Sequence, residues 1–177
     1  MHRIMVIDDE ENILHSLKRI LKNEKGLEVE FYTDPKQALI KANRSEYHLF
    51  LSDYRMPGMD GVKFLTKTKQ SNPNAMRLIF SGTADFDALI EAINKAEIYR
   101  FIAKPIHAHE LIPTIRQALH LYDVLAENRR LSDQVREQQN ELNNRDLALK
   151  KFAEEHPSLA EVDWGLDGSI ILEEDDV

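Results

Sequence analysis

Short apolar runs alternate with longer amphipathic stretches over the first 120 residues of the chain. The short runs are rich in branched and aromatic side chains, which is typical of buried strands. They lie at 3–7, 28–32, 48–52, 77–81 and 99–103. Between them, apolar residues recur every three or four positions, as on one face of a helix. Five strand–helix units predict a doubly wound, five-stranded parallel sheet with helices on both faces, because parallel strands need long crossovers.

Several helix ends can be placed from local signals. Gly26 ends the first helix, and Thr33-Asp34-Pro35 opens the second with a proline near its first turn. The pattern predicts a third helix over 62–68, a fourth from about Ala84 and a last one from about His109.

The last helix is predicted to continue beyond the sheet as a coiled coil. Apolar residues keep a spacing of three and four from Leu121 onwards. On a heptad, the a positions are Leu121, Asn128, Val135, Leu142 and Leu149, and the d positions are Val124, Leu131, Gln138, Arg145 and Phe152. One Asn at an a position is typical of a two-stranded coiled coil, in which it sets the register at some cost in stability. We therefore expect a homodimer through residues 121–153.

Two points about this segment stay open. Gln138 and Arg145 weaken the apolar seam, and the flanking positions lack opposite-charge pairs, so parallel pairing is only a preference. The alternative is a single amphipathic helix folded back on the surface of the first domain. That alternative is the weaker one, since an isolated polar-rich helix gains little by itself.

The C-terminal residues 154–177 are strongly acidic. They hold nine Asp and Glu residues and no Lys or Arg, so the net charge of −8 belongs to this tail and the rest of the chain is close to neutral. This argues against a nucleic-acid-binding C-terminus. Residues 160–172 are predicted to form a short hairpin, and a disordered tail is the alternative. The predicted domains are thus 1–120, 121–153 and 154–177.

Composition limits the compartment and the chemistry. The chain has no cysteine, which leaves no disulfide framework and no thiolate metal site. It has no apolar run long enough for a membrane span and no secretory pattern at its start. We therefore expect a cytoplasmic protein that does not bind a membrane.

Polar side chains follow the predicted strands where ligands bind in such folds, outside the carboxyl ends. Asp8-Asp9, Asp53, Ser81 and Lys104 each lie at the end of a strand. If the first and third strands are neighbours, the three carboxylates converge and repel one another unless a cation is present. An all-oxygen cluster suits Mg²⁺, and a lysine and a hydroxyl opposite suit a phosphoryl group. The pattern predicts a carboxylate nucleophile with a metal beside it.

Together these residues resemble the receiver (CheY-like) domain of two-component response regulators. The matching segments, over about residues 2–120, are Asp8-Asp9, Asp53 with Met56-Pro57-Gly58 and Asp60-Gly61 behind it, Ser81-Gly82 and Lys104-Pro105. "SDYRMPGMDG" and "SGTADFDALIEAINKAEIYRFIAKP" are most similar to receivers that precede cyclic-dinucleotide phosphodiesterase modules. We expect no such module in this chain.

The resemblance implies a flavodoxin-like strand order, 2-1-3-4-5, and a role for each matching residue. Asp53 would accept a phosphoryl group from a histidine kinase or a phosphotransfer protein. Asp8 and Asp9 would hold Mg²⁺, with Asp53 and the backbone carbonyl of Arg55 completing the protein ligands. Lys104 would pair with the phosphoryl group.

The resemblance also implies a switch and an output. Ser81 would hydrogen-bond the phosphoryl group and move toward it, and Phe101 would then pack inward. Many members have Tyr and Thr where this chain has Phe101 and Ser81. Arg55 and Thr83, at the mouth of the pocket, would tune hydrolysis of the acyl phosphate. The chain would thus be a signalling module, with self-phosphorylation and autodephosphorylation as its only chemistry, and its output would be dimerisation or binding of a partner protein.

Three other functions fit the sequence less well. A Mg²⁺-dependent phosphatase or phosphotransferase would need a second acid two residues after Asp53, where this chain has Arg55. A receiver used only as a non-phosphorylated scaffold would not need the complete set of acids and lysine. A DNA-binding regulator would need a basic face or a helix-turn-helix after residue 120, and the sequence predicts neither.

Overall fold

The computed structural model describes residues 1–82 and 96–155. The strands are β1 (His2–Ile7), β2 (Leu27–Tyr32), β3 (Leu49–Asp53), β4 (Met76–Ser81) and β5 (Arg100–Ala103). The helices are α1 (Glu11–Leu21), α2 (Pro35–Ala42), α3 (Gly61–Ser71) and α4 (Ala108–Glu155). The helix predicted from about Ala84 and the hairpin predicted over 160–172 lie outside the described residues.

All five strands are parallel and are ordered β2-β1-β3-β4-β5. This confirms the predicted fold class and the strand order that the family resemblance implied. The three inner strands are the most buried, with every residue of β3 and β4 buried, because helices cover both faces of a doubly wound sheet. The edge strand β2 is only half buried, which agrees with its alternating sequence.

Alternate residues of each strand enter two separate cores, one on each face of the sheet. On one face, Ile4 and Val6 pack with the apolar sides of α1 and the start of α4, including Leu111. On the other face, Met5 and Ile7 pack with residues of α2 and α3. β1 pairs directly with β3 in parallel, so the carboxyl ends of these two strands meet at one edge of the sheet.

The elements differ from the sequence-based bounds mainly at the helices. α3 runs from Gly61 to Ser71 and is longer than the predicted 62–68. Asp60 caps its first turn by accepting a hydrogen bond from the backbone N–H of Lys63 at 2.8 Å. α4 begins at Ala108 and runs without a break to Glu155.

The chain divides into two compact units, Met1–Glu127 and Asn128–Val177. The first unit contains the sheet, α1, α2, α3 and the start of α4. The described part of the second is helix over 128–155, and every side chain over 128–152 is exposed. Over the described residues, no helix has the length and apolar character that a membrane crossing would require.

Candidate functional site

The carboxyl ends of the inner strands bring four predicted site residues to one edge of the sheet. Asp8 follows β1, Asp53 ends β3, Ser81 ends β4 and Lys104 follows β5. The pairing of neighbouring strands brings these ends level with one another, with Asp53 opposite Phe80 and Ser81 opposite Ala103. Parallel pairing places all these ends on the same side, as the sequence pattern required.

Lys104 joins two of the carboxylates directly. Its Nζ atom lies 2.6 Å from Oδ1 of Asp53 and 3.0 Å from Oδ2 of Asp8. Glu10 is a more distant neighbour, with Oε1 at 4.0 Å from the same nitrogen and an exposed side chain. Asp8 has no exposed surface and Asp53 is only 5% exposed. One ammonium group therefore serves two buried carboxylates.

Backbone N–H groups hold the remaining carboxylate oxygens. Oδ1 of Asp8 accepts a hydrogen bond from the backbone N–H of Glu10 at 2.9 Å. Oδ2 of Asp53 accepts one from the backbone N–H of Arg55 at 2.8 Å. In each carboxylate, one oxygen thus contacts Lys104 and the other accepts a hydrogen bond from the backbone two residues further along the chain. These two contacts fix the orientation of the Asp53 carboxylate.

Burial and hydrogen bonding act in opposite directions on the charges in this pocket. Burial raises the pKa of Asp8, and the hydrogen bond from Lys104 offsets only part of that rise. Burial alone would lower the pKa of Lys104, but its hydrogen bonds to Asp53 and Asp8 outweigh it, and the pKa is raised. Lys104 is therefore a charged ammonium group at neutral pH.

The loop behind Asp53 is held close to the strand. Tyr54 donates its backbone N–H to the carbonyl of Phe80, and Gly61 donates its own to the carbonyl of Tyr54. A Cβ atom built on Gly61 would collide with the carbonyl oxygen of Asp53, so only glycine fits there. The sequence motif includes Gly61 but does not reveal this close approach to Asp53. The only signal in the motif is the position of a glycine at the start of a helix.

The two predicted switch residues lie on neighbouring strands. Ser81 is 6% exposed, and its hydroxyl donates to the carbonyl of Gly82 at 3.0 Å. Phe101 is half-buried and packs against the core that contains Met5 and Ile98. Thr83, predicted to tune hydrolysis, lies outside the described residues.

Asp9 and Arg55, the other predicted pocket residues, are exposed. Over residues 1–82 and 96–155, no three acidic or histidine side chains are grouped as metal ligands. The donors nevertheless suit a hard cation: Asp8 and Asp53 carry two negative charges against the single charge of Lys104, and all the candidate ligands are oxygen atoms. The magnesium ligand set stays a prediction.

The chain belongs to the response regulator receiver domain family, whose model matches residues 4–116. It is 33% identical to the hydrogenase transcriptional regulatory protein HoxA of Cupriavidus necator, over 75% of this chain and 27% of that protein. The chain thus spans about a quarter of the length of HoxA. Receiver domains of this kind transmit signals, are phosphorylated by histidine kinases or phosphotransfer proteins, and typically use Mg²⁺.

Two solved structures show the same fold at comparable identity. A structure named adenylate cyclase from Rhodopirellula baltica is 29% identical, with a TM-score of 0.69, and the match covers 73% of this chain and 96% of that one. The signal receiver domain of an HD domain-containing protein from Pseudomonas fluorescens Pf-5 is 32% identical, with a TM-score of 0.66, over 71% of this chain and 92% of that one.

Proposed function

We propose that Asp53 accepts a phosphoryl group from the phosphohistidine of a kinase or a phosphotransfer protein, and that the chain passes this signal to other proteins. The observation that supports the proposal is the shared lysine. Lys104 contacts Oδ1 of Asp53 at 2.6 Å and also Asp8 at 3.0 Å. A buried carboxylate beside a fixed cation at a sheet edge has the geometry that a phosphoryl acceptor needs.

The transfer converts one phosphoryl bond into another. A carboxylate oxygen of Asp53 attacks phosphorus, an acyl phosphate forms, and the P–N bond of the donor breaks with its electron pair leaving on the imidazole. Oδ2 of Asp53 is oriented by the backbone N–H of Arg55 at 2.8 Å. The ammonium of Lys104 then balances charge on the transferred group.

A divalent cation fits the same pocket by charge. Asp8, Asp9, Asp53 and the backbone carbonyl of Arg55 would hold Mg²⁺. When bound, the ion neutralises negative charge on the phosphoryl oxygens. Lys104 balances only one of the two buried carboxylates.

Ser81 and Phe101 are the residues through which the phosphoryl group would reach the rest of the domain. The hydroxyl of Ser81 donates to a backbone carbonyl at 3.0 Å, and it would turn to the phosphoryl oxygens when Asp53 is modified. Phe101 would then pack more deeply against the core it already touches. Thr83 and Arg55 would tune loss of the group.

The output would be protein association through the helix over 121–153, as a homodimer or with another protein, rather than binding to nucleic acid. HoxA is named a transcriptional regulatory protein, but this chain carries no basic excess after the receiver. A phosphatase or phosphotransferase is less well supported, because Arg55 stands where its general acid would be.

Labelling with a small phosphodonor tests the proposal. The full chain, incubated with Mg²⁺ and a labelled acyl phosphate, should gain one hydroxylamine-labile phosphoryl group. Asp53→Asn should abolish it, whereas Asp133→Asn, at an exposed position of α4, should leave it unchanged. Label that survives in the Asp53 variant would disprove the assignment.

A further inference from the structure

The second compact unit presents an apolar stripe along α4 with no covering side chains among the described residues. Leu131 is 45% exposed, Val135 64%, Leu142 54% and Leu149 66%. They recur at intervals of four and seven, which places them on one side of the helix. We call residues 128, 131, 135, 138, 142, 145 and 149 the α4 stripe. A polar-rich helix of this length is stabilised mainly by packing of such a face.

We propose that the α4 stripe packs against the same stripe of a second copy of this chain, with the two helices running antiparallel. The inference rests on the proposed role of this helix as the output. It adds the identity of the partner and the direction of pairing, both of which follow from where the polar residues of the stripe lie.

A parallel, in-register pair is opposed by the charges of the stripe. In that arrangement each residue faces its own copy, so Arg145 at a d position meets Arg145 across the seam. Two guanidinium groups there repel each other and lose hydration. At the flank, Glu141 at g would face Asp146 at e of the other helix, a second like-charge pair.

An antiparallel pair with Leu131 opposite Leu142 of the second copy removes these conflicts. Asn128 then faces Arg145 of the second copy, so that an amide oxygen can accept hydrogen bonds from the guanidinium group. The remaining facing pairs are Val135 with Gln138, Leu149 with Val124 and Phe152 with Leu121. The one charged residue of the stripe thus meets a polar side chain instead of its own copy.

The flanks and the register agree with this alignment. Facing flank positions pair Gln134 with Glu141 and Ser132 with Gln139, and neither is a like-charge pair. Sliding the helices by one heptad in either direction would put Arg145 against an apolar residue, at position 135 or 121. One register is therefore favoured over its neighbours by the position of a single arginine.

Cysteine cross-linking reports the direction of pairing, and the chain has no cysteine of its own. Leu131→Cys and Leu142→Cys are made separately in full-length chains of different mass, mixed and oxidised, with and without phosphodonor. The antiparallel pair predicts a disulfide between the two variants. Leu131→Cys alone should not cross-link, because the two copies of residue 131 would lie about 16 Å apart along the axis at about 1.5 Å per residue.

A charge substitution tests the direction of pairing independently, through the change in the Kd of the dimer. Asn128→Asp should strengthen an antiparallel dimer, lowering its Kd about threefold to tenfold, because each introduced carboxylate would face Arg145 of the other chain. It would weaken a parallel dimer, in which the two introduced carboxylates meet each other. Asn143→Asp adds the same charge outside the stripe and should leave the Kd unchanged.

Cross-linking of Leu131→Cys to itself, weaker association of Asn128→Asp, or a monomer under both conditions would each overturn the proposal. Phosphoryl labelling of Asp53 is measured on the same samples. Labelling without the mixed disulfide would refute antiparallel pairing alone. The mixed disulfide without labelling would refute the phosphoryl acceptor alone.

Discussion

Lys104 donates a hydrogen bond to Asp8 at 3.0 Å, although Asp8 has no exposed surface and the two residues follow strands that are not neighbours in the sheet. The contact brings a charge to a carboxylate that water cannot reach. Even so, burial keeps the pKa of Asp8 above its ordinary value of 3.8. Burial therefore disfavours the charged form of Asp8 in the folded protein, and ionisation of Asp8 lowers the free energy of unfolding.

Asp8→Asn should stabilise the protein at pH 7. The folded pKa of Asp8 is raised, so the native state binds this proton more tightly than the unfolded state, and stability falls as pH rises above 3.8. Asparagine removes that loss and can still accept from the backbone N–H of Glu10. We expect a higher free energy of unfolding near about pH 7 and almost no change near about pH 3, measured by urea unfolding.

The neighbouring Asp9→Asn is the matched control, because Asp9 is exposed. Its effect on the free energy of unfolding should stay within about 0.5 kcal/mol. If both variants behave alike, burial of Asp8 is not the source of the effect.

Lys104→Met should destabilise the domain at neutral pH. The substitution leaves Asp8 and Asp53 buried together without a counter-charge, which costs about 1–3 kcal/mol. The loss should shrink as the pH falls and the carboxylates take up protons. Chemical denaturation at neutral and at acidic pH measures both quantities, and Lys67→Met at an exposed position of α3 should have little effect. A loss that is independent of pH would point to packing instead.

Gly61→Ala should disturb Asp53, the proposed phosphoryl acceptor. Its Cβ would meet the carbonyl oxygen of Asp53 and approach the hydroxyl of Ser52, and a backbone atom cannot move aside like the end of a side chain. We expect a loss of about 2–3 kcal/mol and slower phosphoryl labelling of Asp53.

Gly58→Ala is the comparison for that variant. Gly58 has φ +76° but open space around it, so alanine there adds only backbone strain, about 1 kcal/mol. The ratio of the two labelling rates separates a collision at the site from a general loss of stability. Equal rates would argue against the close approach of Gly61 to Asp53.

His48, just before the amino end of β3, should make the free energy of unfolding depend on pH. Its Nδ1 accepts the backbone N–H of Arg3 at 2.9 Å, and burial together with neighbouring His2 lowers the pKa of His48 below 6.5. The unfolded state therefore takes up the proton first, and stability falls as the pH drops through 6.5.

His48→Gln keeps an acceptor for Arg3 but does not titrate. It should flatten the change in the free energy of unfolding between about pH 7.5 and about pH 5.5. His120→Gln, at an exposed position of α4, should keep the slope of the natural chain. An unchanged slope in the His48 variant would contradict the assignment.

The strands, their order and the convergence of Asp8, Asp53, Ser81 and Lys104 could be predicted from the sequence. The strands are short, continuous apolar runs that stand out from the helical spacing between them. Their carboxyl ends share one edge in any parallel sheet, so residues just after each run had to meet there. The order itself came from the resemblance to receiver domains, since apolar patterning alone does not say which strands are neighbours.

The partners of individual atoms could not be predicted. The family resemblance assigns Lys104 to the phosphoryl group, whereas in the structure its ammonium contacts the carboxylates of Asp53 and Asp8, because a buried carboxylate needs a donor within reach. The clearance at Gly61 depends on how closely α3 approaches β3, and this is a property of backbone packing. The predicted end of α3 lies too early because Lys69 and Ser71, near its C-terminus, interrupt the apolar spacing.

Because Lys104 contacts both carboxylates, its ammonium group acts as a built-in cation in the pocket. A divalent ion bound by Asp8 and Asp53, as proposed above, would compete with the ammonium of Lys104 for the same oxygens. The affinity of the pocket for a divalent ion would therefore depend on how easily the ammonium of Lys104 is displaced, as well as on the metal ligands. In a chain with Lys104 removed, the site should hold cations more tightly while losing the group that balances a bound phosphate.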